Sequence, residues 1–343
     1  MVTIKDVARA AGVSIATASR AVNDSPLVAG ETSARIREIA ARLCYSPHGA
    51  ARSLITSRTH TIGILLPDLF GEFFSELIRG IDQAAQHEGF HCLLASARHT
   101  GPLLETALRS MRGRVDGLIL MSPEFTGDLS RRTLPTGFPV VLVHCPPTEH
   151  SHGVLVANDE GARAMVRHLA RLGHQRIAII RGAEGNYDAA ERLRGYREAL
   201  AECGLPTASN LEFPGDFSEE AGANAVATFL AQPAAERPTA IFAANDCMAI
   251  GALSALRAAG LRVPEDLALG GFDDIPMARF MTPPLTSVHV DISAVGARAA
   301  ARLFDLLQGR AGPAPYREIF PATLVVRQSC GANLHTTPRR VAV

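Results

Sequence analysis

The sequence predicts an all-α head of three short helices, followed by an α/β body of two doubly wound parallel-sheet lobes. Three observations carry this. Short stretches of 3.6-residue apolar periodicity fill the first 45 positions. A polar stretch, SPHGAARSLITSR, follows at 46–58. Beyond it, uniformly apolar runs alternate with amphipathic helices, and the whole pattern occurs twice. A chain of 343 residues, 47% hydrophobic and 20% charged, has the composition of two or three packed domains. No window reaches the apolar length of a membrane span.

In the head, IKDVARAA (4–11) places Ile4, Val7, Ala8 and Ala11 on one face, with Thr3 as N-cap and Asp6 in the first turn. Gly12 ends this helix because it tolerates positive φ. Ser14 caps a second helix, 15–22, and a third runs over about 32–43 with Ile36, Ile39, Ala40 and Leu43 inward. Such a trio has the size of a helix-turn-helix unit. The second helix, GVSIATASRAVN with its cap, has little apolar face to bury and many polar side chains. A nucleic-acid groove accounts for that. Ile15 and Ala16 suit thymine methyls, Arg20 suits guanine O6 and N7, and Thr17, Ser19 and Asn23 suit phosphates. With Thr3 and Ser14 at the helix starts they form the candidate DNA-binding set, although a bare surface helix shows the same pattern. Residues 1–58 hold eight Lys and Arg against four Asp and Glu, in a chain with 34 of each overall, so a basic head precedes an acidic body.

In the body, TIGILLP (61–67), FHCLLAS (90–96), DGLILMS (116–122) and PVVLVH (139–144) are predicted strands, with helices near 72–88 and 102–113. The second set is RIAIIRG (176–182), LEFPGD (211–216), TAIFAAN (239–245) and LALGGFD (267–273), with helices near 160–172, 190–203, 218–231 and 247–259. A strand and long helix at 287–307 and one or two strands within 318–330 close the fold. In such sheets ligands bind beyond the strand C-termini, so the expected site is a cleft between lobes.

Enzymatic motifs are missing: no G-x-G-x-x-G follows the first strand, and there is no Walker-type loop, G-x-S-x-G or H-E-x-x-H. The expectation is a binding protein, not an enzyme, with no cofactor and no metal. The six cysteines (44, 92, 145, 203, 247, 330) form no C-x-x-C and are expected to be small buried side chains in a reducing compartment. The N-terminus MVTIKDVARAAG has no apolar run of signal-peptide type, which implies a cytoplasmic protein.

The stretch TIKDVARAAGVSIATASRAVN resembles the helix-turn-helix of the LacI/GalR family of bacterial transcription regulators nearly residue for residue. The resemblance continues through LCYSPHGAARSL, RLGHQRIAII, AERLRGYREAL, AANDCMAIGALSAL and GGFDDIPMARFMTPPLTSV, over about residues 2–330. One departure is Ala18, where the family usually has valine. The resemblance implies a helix-turn-helix domain at 1–46, a hinge helix in 47–58, a periplasmic-binding-protein-like core and a tail at 333–343. Its N-terminal lobe would be 59–157 with 289–319, and its C-terminal lobe 158–288 with 320–332. It implies that Leu54, supported by Ala51 and Arg52, wedges into the minor groove beside its copy from a second subunit. The binding unit would then be a homodimer on a near-palindromic operator in double-stranded DNA, with dimer contacts around 72–88 and 218–231. The tail lacks leucine heptads, which favours a dimer over a tetramer.

The residues it implies for the effector are Phe73, Phe74, Ser122, His144, Arg192, Phe217, Asn245, Asp246 and Asp273. Arg192, Asn245 and Asp273 supply donors and acceptors suited to vicinal hydroxyls, and an aromatic face covers a sugar ring. Some have other readings: Asp246 as the cap of the helix that follows it, which is favoured over ligand contact, Asp274 as a structural group in the same turn, one of the two phenylalanines as core, His144 as a structural histidine. The function implied is a sequence-specific DNA-binding regulator, a repressor, controlled by a sugar-like effector. The alternative is a sugar carrier without DNA output.

Overall fold

The computed structural model describes residues 2–23, 25–45, 58–96, 101–122, 129, 132–145 and 151–332. The expected hinge, with Ala51, Arg52 and Leu54, and the expected tail lie outside them except for Arg58.

The head is helices α1 (Ile4–Ala11), α2 (Ile15–Val22) and α3 (Gly30–Arg42). Thr3 N and Oγ1 both donate to Asp6 Oδ2, at 2.9 and 2.7 Å, closing the first turn of α1. Gly12 ends α1 at φ 65° and Ser14 Oγ accepts from Thr17 N at 3.0 Å, as the sequence predicts. Helix α3 begins two residues earlier than expected. The head core is Val7, Ala8, Ala11, Ala18, Ala21, Ile36 and Ala40, rimmed by Ile4, Val13, Val28, Ile39 and Leu43.

The body contains two six-stranded sheets: the two expected sets of four, the expected strand near 287, two closing strands, and one strand, β5, that was not expected. The first comprises β1 (Thr61–Leu66), β2 (His91–Ser96), β3 (Gly117–Leu120), β4 (Val140–Val143), β5 (His152–Val156) and β11 (Tyr316–Phe320), in the order β11-β5-β4-β3-β1-β2. The second comprises β6 (Ile177–Ile180), β7 (Glu212–Phe213), β8 (Ala240–Ala243), β9 (Ala268–Asp273), β10 (Thr286–His289) and β12 (Thr323–Val325), in the order β12-β10-β9-β8-β6-β7. Pairing is parallel from β1 across to β11 and from β7 across to β10, and β12 runs antiparallel to β10. Strand order reverses between β1 and β3, which pair in the register Ile62↔Gly117, and between β6 and β8, which pair as Ile177↔Ala240. Ligand sites in open parallel sheets form at such reversals.

Helices α4 (Glu72–His87), α5 (Gly101–Met111), α6 (Asn158–Arg171), α7 (Tyr187–Glu202), α8 (Glu219–Leu230), α9 (Asp246–Ala258) and α10 (Ile292–Leu307) cover the sheets. The chain passes between sheets after β5, after β10 and after β11, because α10 packs on β3, β4 and β5. Glycines set the closest helix pairs. A Cβ on Gly80 of α4 would lie 1.9 Å from Ser293 O, and one on Gly296 of α10 would lie 2.3 Å from Leu77 O. The backbones of α4 and α10 therefore touch, which only glycine permits.

Two expectations need correction. Strand β5 was not expected; its His152 is buried because Arg302 donates to its Nδ1 at 3.2 and 3.0 Å. Cys44 and Cys203 are exposed, and of the six cysteines only Cys145 and Cys330 are fully buried. Both exposed residues sit where a helix has just ended and the chain turns at the surface.

Gly296→Ala or Gly80→Ala should lower stability by about 1–3 kcal/mol, seen as a lower urea midpoint. Gly312→Ala, where a Cβ meets nothing within 4 Å, should change it by under about 0.5 kcal/mol.

Candidate functional site: an outward-facing helix and the strand ends of two sheets

On α2, Ala18 and Ala21 are buried, while Ser14, Ile15, Ala16, Arg20 and Asn23 are exposed and Thr17 and Ser19 half-buried. Ile15, an apolar side chain, is 48% exposed. The helix thus holds the head together through Ala18, Ala21 and the half-buried Val22, and leaves Ile15, Ala16 and Arg20 outward. Ser14 and Thr17 hydroxyls bond each other at 2.8 Å, and Asn23 Nδ2 donates to Ser19 O at 2.9 Å, so three of the candidate polar groups are pre-oriented by the helix itself.

The body gathers its candidates at strand C-termini. Phe73 and Phe74 open α4, Ser122 follows β3, His144 follows β4, Phe217 follows β7, Asn245 and Asp246 follow β8, and Asp273 ends β9. His144, Phe217, Asp273 and Asp274 have φ of 54°, 74°, 100° and 52°. Non-glycine residues held in this region mark strain, and here it clusters at the strand ends.

Arg192, on α7, is the centre. Its guanidinium is buried, donating from Nε to Asn158 Oδ1 at 2.7 Å, from Nη1 to Ala244 O, and from Nη2 to Asp273 Oδ1 at 3.0 Å. It also lies 3.8 Å from the centroid of the Phe272 ring. Phe217 caps the same group from 6.0 Å, and its ring fills the space where a side chain on Gly182 would be. Burial pushes the Asp273 carboxyl up to about 6, against the pull of Arg192.

His144 Nδ1 lies 2.6 Å from Asp188 Oδ2, and the ring stands 5.4 Å from Phe73, which is edge-on to Phe74 at 5.3 Å. Both phenylalanines pack against the core around β1 and α4, and Phe73 also meets the core of the second sheet. Ser122 N donates to Cys145 Sγ at 3.0 Å, and burial pushes that thiol up to about 12, so it stays protonated at neutral pH.

Asn245, not Asp246, caps α9: its Oδ1 accepts from Met248 N at 2.9 Å, and its Nδ2 donates to Phe217 O at 3.0 Å. Asp246 is wholly enclosed. Its Oδ1 accepts from Ser287 Oγ at 2.6 Å and its Oδ2 from Ile275 N at 2.9 Å. Burial, then Asp273, push its pKa well above the usual carboxylate range. A Cβ on Gly271 would fall 2.1 Å from Asp246 Oδ1, which explains a glycine in the middle of β9. Asp246 thus braces the turn that carries Asp273, with both oxygens used by the protein. Asp274 is likewise engaged, by Arg327 at 2.6 Å and His289 at 3.2 Å.

Sequence reasoning missed Asn158, Asp188, Phe272 and the Ala244 carbonyl. A signal for the first was present: Ala157-Asn158-Asp159 repeats Ala244-Asn245-Asp246 at the same strand-to-helix junction.

Two family models match this chain: bacterial regulatory proteins, lacI family, over residues 3–48, and the periplasmic binding protein-like domain over 166–330. The HTH-type transcriptional repressor PurR of Pasteurella multocida (strain Pm70) is 34% identical over 337 residues, 97% of this chain and 100% of that protein. The chain belongs to the LacI family. The ribose operon repressor of Escherichia coli (strain K12) is 38% identical over 294 residues, 84% of this chain and 88% of that repressor. A crystal structure of the lac repressor dimer bound to operator and the anti-inducer ONPF matches with a TM-score of 0.85 at 30% identity, over 96% of this chain and 99% of that one. This LacI-family member is a DNA-binding transcriptional repressor with a small-molecule effector. Among the described residues, no helix is long and apolar enough to cross a membrane, and no three His, Cys, Asp or Glu side chains are grouped to hold a metal.

Asp273 gives a stability signature. Its folded pKa, about 6, lies above the ordinary 3.8, so between those values the native state keeps a proton the unfolded chain has lost. Its contribution to stability therefore falls as pH rises from about 4 to about 6 and stays flat above. Urea titrations should show a steeper decline in the wild type than in Asp273→Asn, in which Asp246, also raised by burial, still contributes a fall of the same sign.

Proposed function

We propose that this repressor binds a near-palindromic operator as a homodimer in the bacterial cytoplasm, and that a neutral sugar in the interlobe cleft controls its grip. The outward side chains of α2 support the DNA half. Ile15, Ala16 and Arg20 read base edges in the major groove, while Thr3, Ser14, Thr17, Ser19 and Asn23 hold or orient phosphate contacts. Ala51, Arg52 and Leu54 supply the minor-groove wedge at the dimer axis.

The observation that carries the effector half is the Arg192–Asp273 pair, a donor and an acceptor side by side at the strand ends, with Phe217 over the guanidinium and Phe73 against His144. A fork of N–H groups beside a carboxylate matches two adjacent hydroxyls, and aromatic faces match the apolar face of a sugar ring. Asn245 positions Phe217, Asp246 positions Asp273, and Phe74, Ser122 and His144 complete the wall on the first sheet. Sugar bound between the two sheets changes the population of lobe arrangements, and operator affinity follows by the difference in the sugar's affinity for each.

A thermal-shift screen of monosaccharides and nucleobases should give a sugar whose shift grows with the logarithm of its concentration. Arg192→Ala and Asp273→Ala should abolish the shift and leave duplex binding intact. A shift retained in both variants removes them from the site, and a response to nucleobases alone reassigns the ligand. Duplex affinity should fall linearly on a log–log plot against salt. Arg20→Ala should cost about 1–3 kcal/mol on the specific duplex and far less on random duplex.

A further inference from the structure

One hydrogen-bonded chain runs from the end of β4 to the end of β9. His144 Nδ1 meets Asp188 Oδ2 at 2.6 Å, and Asp188 Oδ1 accepts from Asn158 Nδ2 at 2.9 Å. Asn158 Oδ1 then accepts from Arg192 Nε at 2.7 Å, and Arg192 Nη2 donates to Asp273 at 3.0 Å. Each link dictates the next. A guanidinium only donates, so Asn158 turns its oxygen to Arg192 and its amide N–H to Asp188. An ionised Asp188 only accepts, so the His144 proton sits on Nδ1.

In a neutral ring that makes Nε2 an acceptor. It is buried and has no partner among the described residues. The His144 and Asp188 side chains are 1% and 6% exposed, so bulk water does not satisfy it. An orphaned buried acceptor is costly, and a ligand donor recovers that cost on binding.

We propose that Asp188 is a positioning residue for the effector. It fixes the His144 tautomer so that Nε2 accepts a hydroxyl from a neutral sugar, and it ties that contact across the two sheets to α7 and Arg192. This rests on the sugar reading above. It also narrows the ligand: the hydrogen-bonded chain holds two carboxylates, Asp188 and Asp273, and one guanidinium, which is paired with Asp273, so a phosphorylated sugar meets net negative charge.

Three variants of the full chain separate the roles. Asp188→Asn keeps the shape, but it presents N–H to His144 and drives the proton to Nε2. His144→Asn keeps the bond to Asp188 and lacks the far nitrogen. His144→Gln keeps an acceptor at the far position. The readouts are the histidine tautomer, by ¹⁵N–¹H NMR of the chain labelled in its histidines, and D-ribose affinity by calorimetry. The expected result is an Nδ1–H tautomer in the wild type and Nε2–H in Asp188→Asn. Ribose binding should be about tenfold or more weaker in Asp188→Asn and His144→Asn, with partial recovery in His144→Gln. A wild-type ring protonated on Nε2 overturns the proposal, as does undiminished ribose binding in both weakened variants. A wild type silent to ribose but responding to another monosaccharide moves the titration to that sugar. A wild type silent to every sugar sinks the sugar reading and with it the Nε2 contact, while the tautomer still reports whether Asp188 orients His144.

Discussion

A guanidinium cannot shed its charge, so a protein that buries one must surround it with acceptors. Arg192 imposes that demand here, and the chain meets it with groups from four places: Asn158 at the start of α6, the Ala244 carbonyl after β8, Asp273 at the end of β9 and the face of Phe272. These partners lie 34, 52 and 81 residues from Arg192 in sequence for the three hydrogen bonds. Meeting one charge therefore fixes the spacing of two strand ends and a helix start. Asp273 can be held at φ 100° because the Asp246 carboxylate grips the adjoining turn through Ile275 N and Ser287 Oγ. These strand ends are therefore tied to one another by the protein's own hydrogen bonds.

What the sequence discloses follows from which interactions are local. The head helices, their caps at Thr3 and Ser14 and the turn at Gly12 are readable because each depends on neighbours within four residues. Most body strands are readable because unbroken apolar runs need cover on both faces. Strand β5 escapes because HGVLV opens on a histidine, whose burial depends on Arg302, 150 residues away. Asp188 escapes for the same reason: on paper it is an acidic residue in the first turn of a helix, favourable there with no further role. Only the fold brings His144 and Asn158 to it. Asp246 shows another case: its place at a helix start suggests a cap, but Asn245 takes that role, and the bracing of the turn beside Asp273 is visible only once Gly271 and Ser287 are placed beside it.

The head is built to a different economy of space. Five of its seven buried core residues are alanines, so its helices pack closely with short side chains. Ala18 belongs to that set and is fully covered, so the small side chain at the position where valine is usual still closes the core. Long side chains on α2 are thereby left for the outside.

The three passages of the chain between the sheets bear on how the body behaves as a material. Neither sheet is a continuous stretch of sequence: β11 completes the first only after β6 to β10 have been laid down, and β12 returns to the second. Three passages of polypeptide, running out, back and out again, therefore tie the two sheets together, so a cut in any one of them leaves the halves joined through the other two.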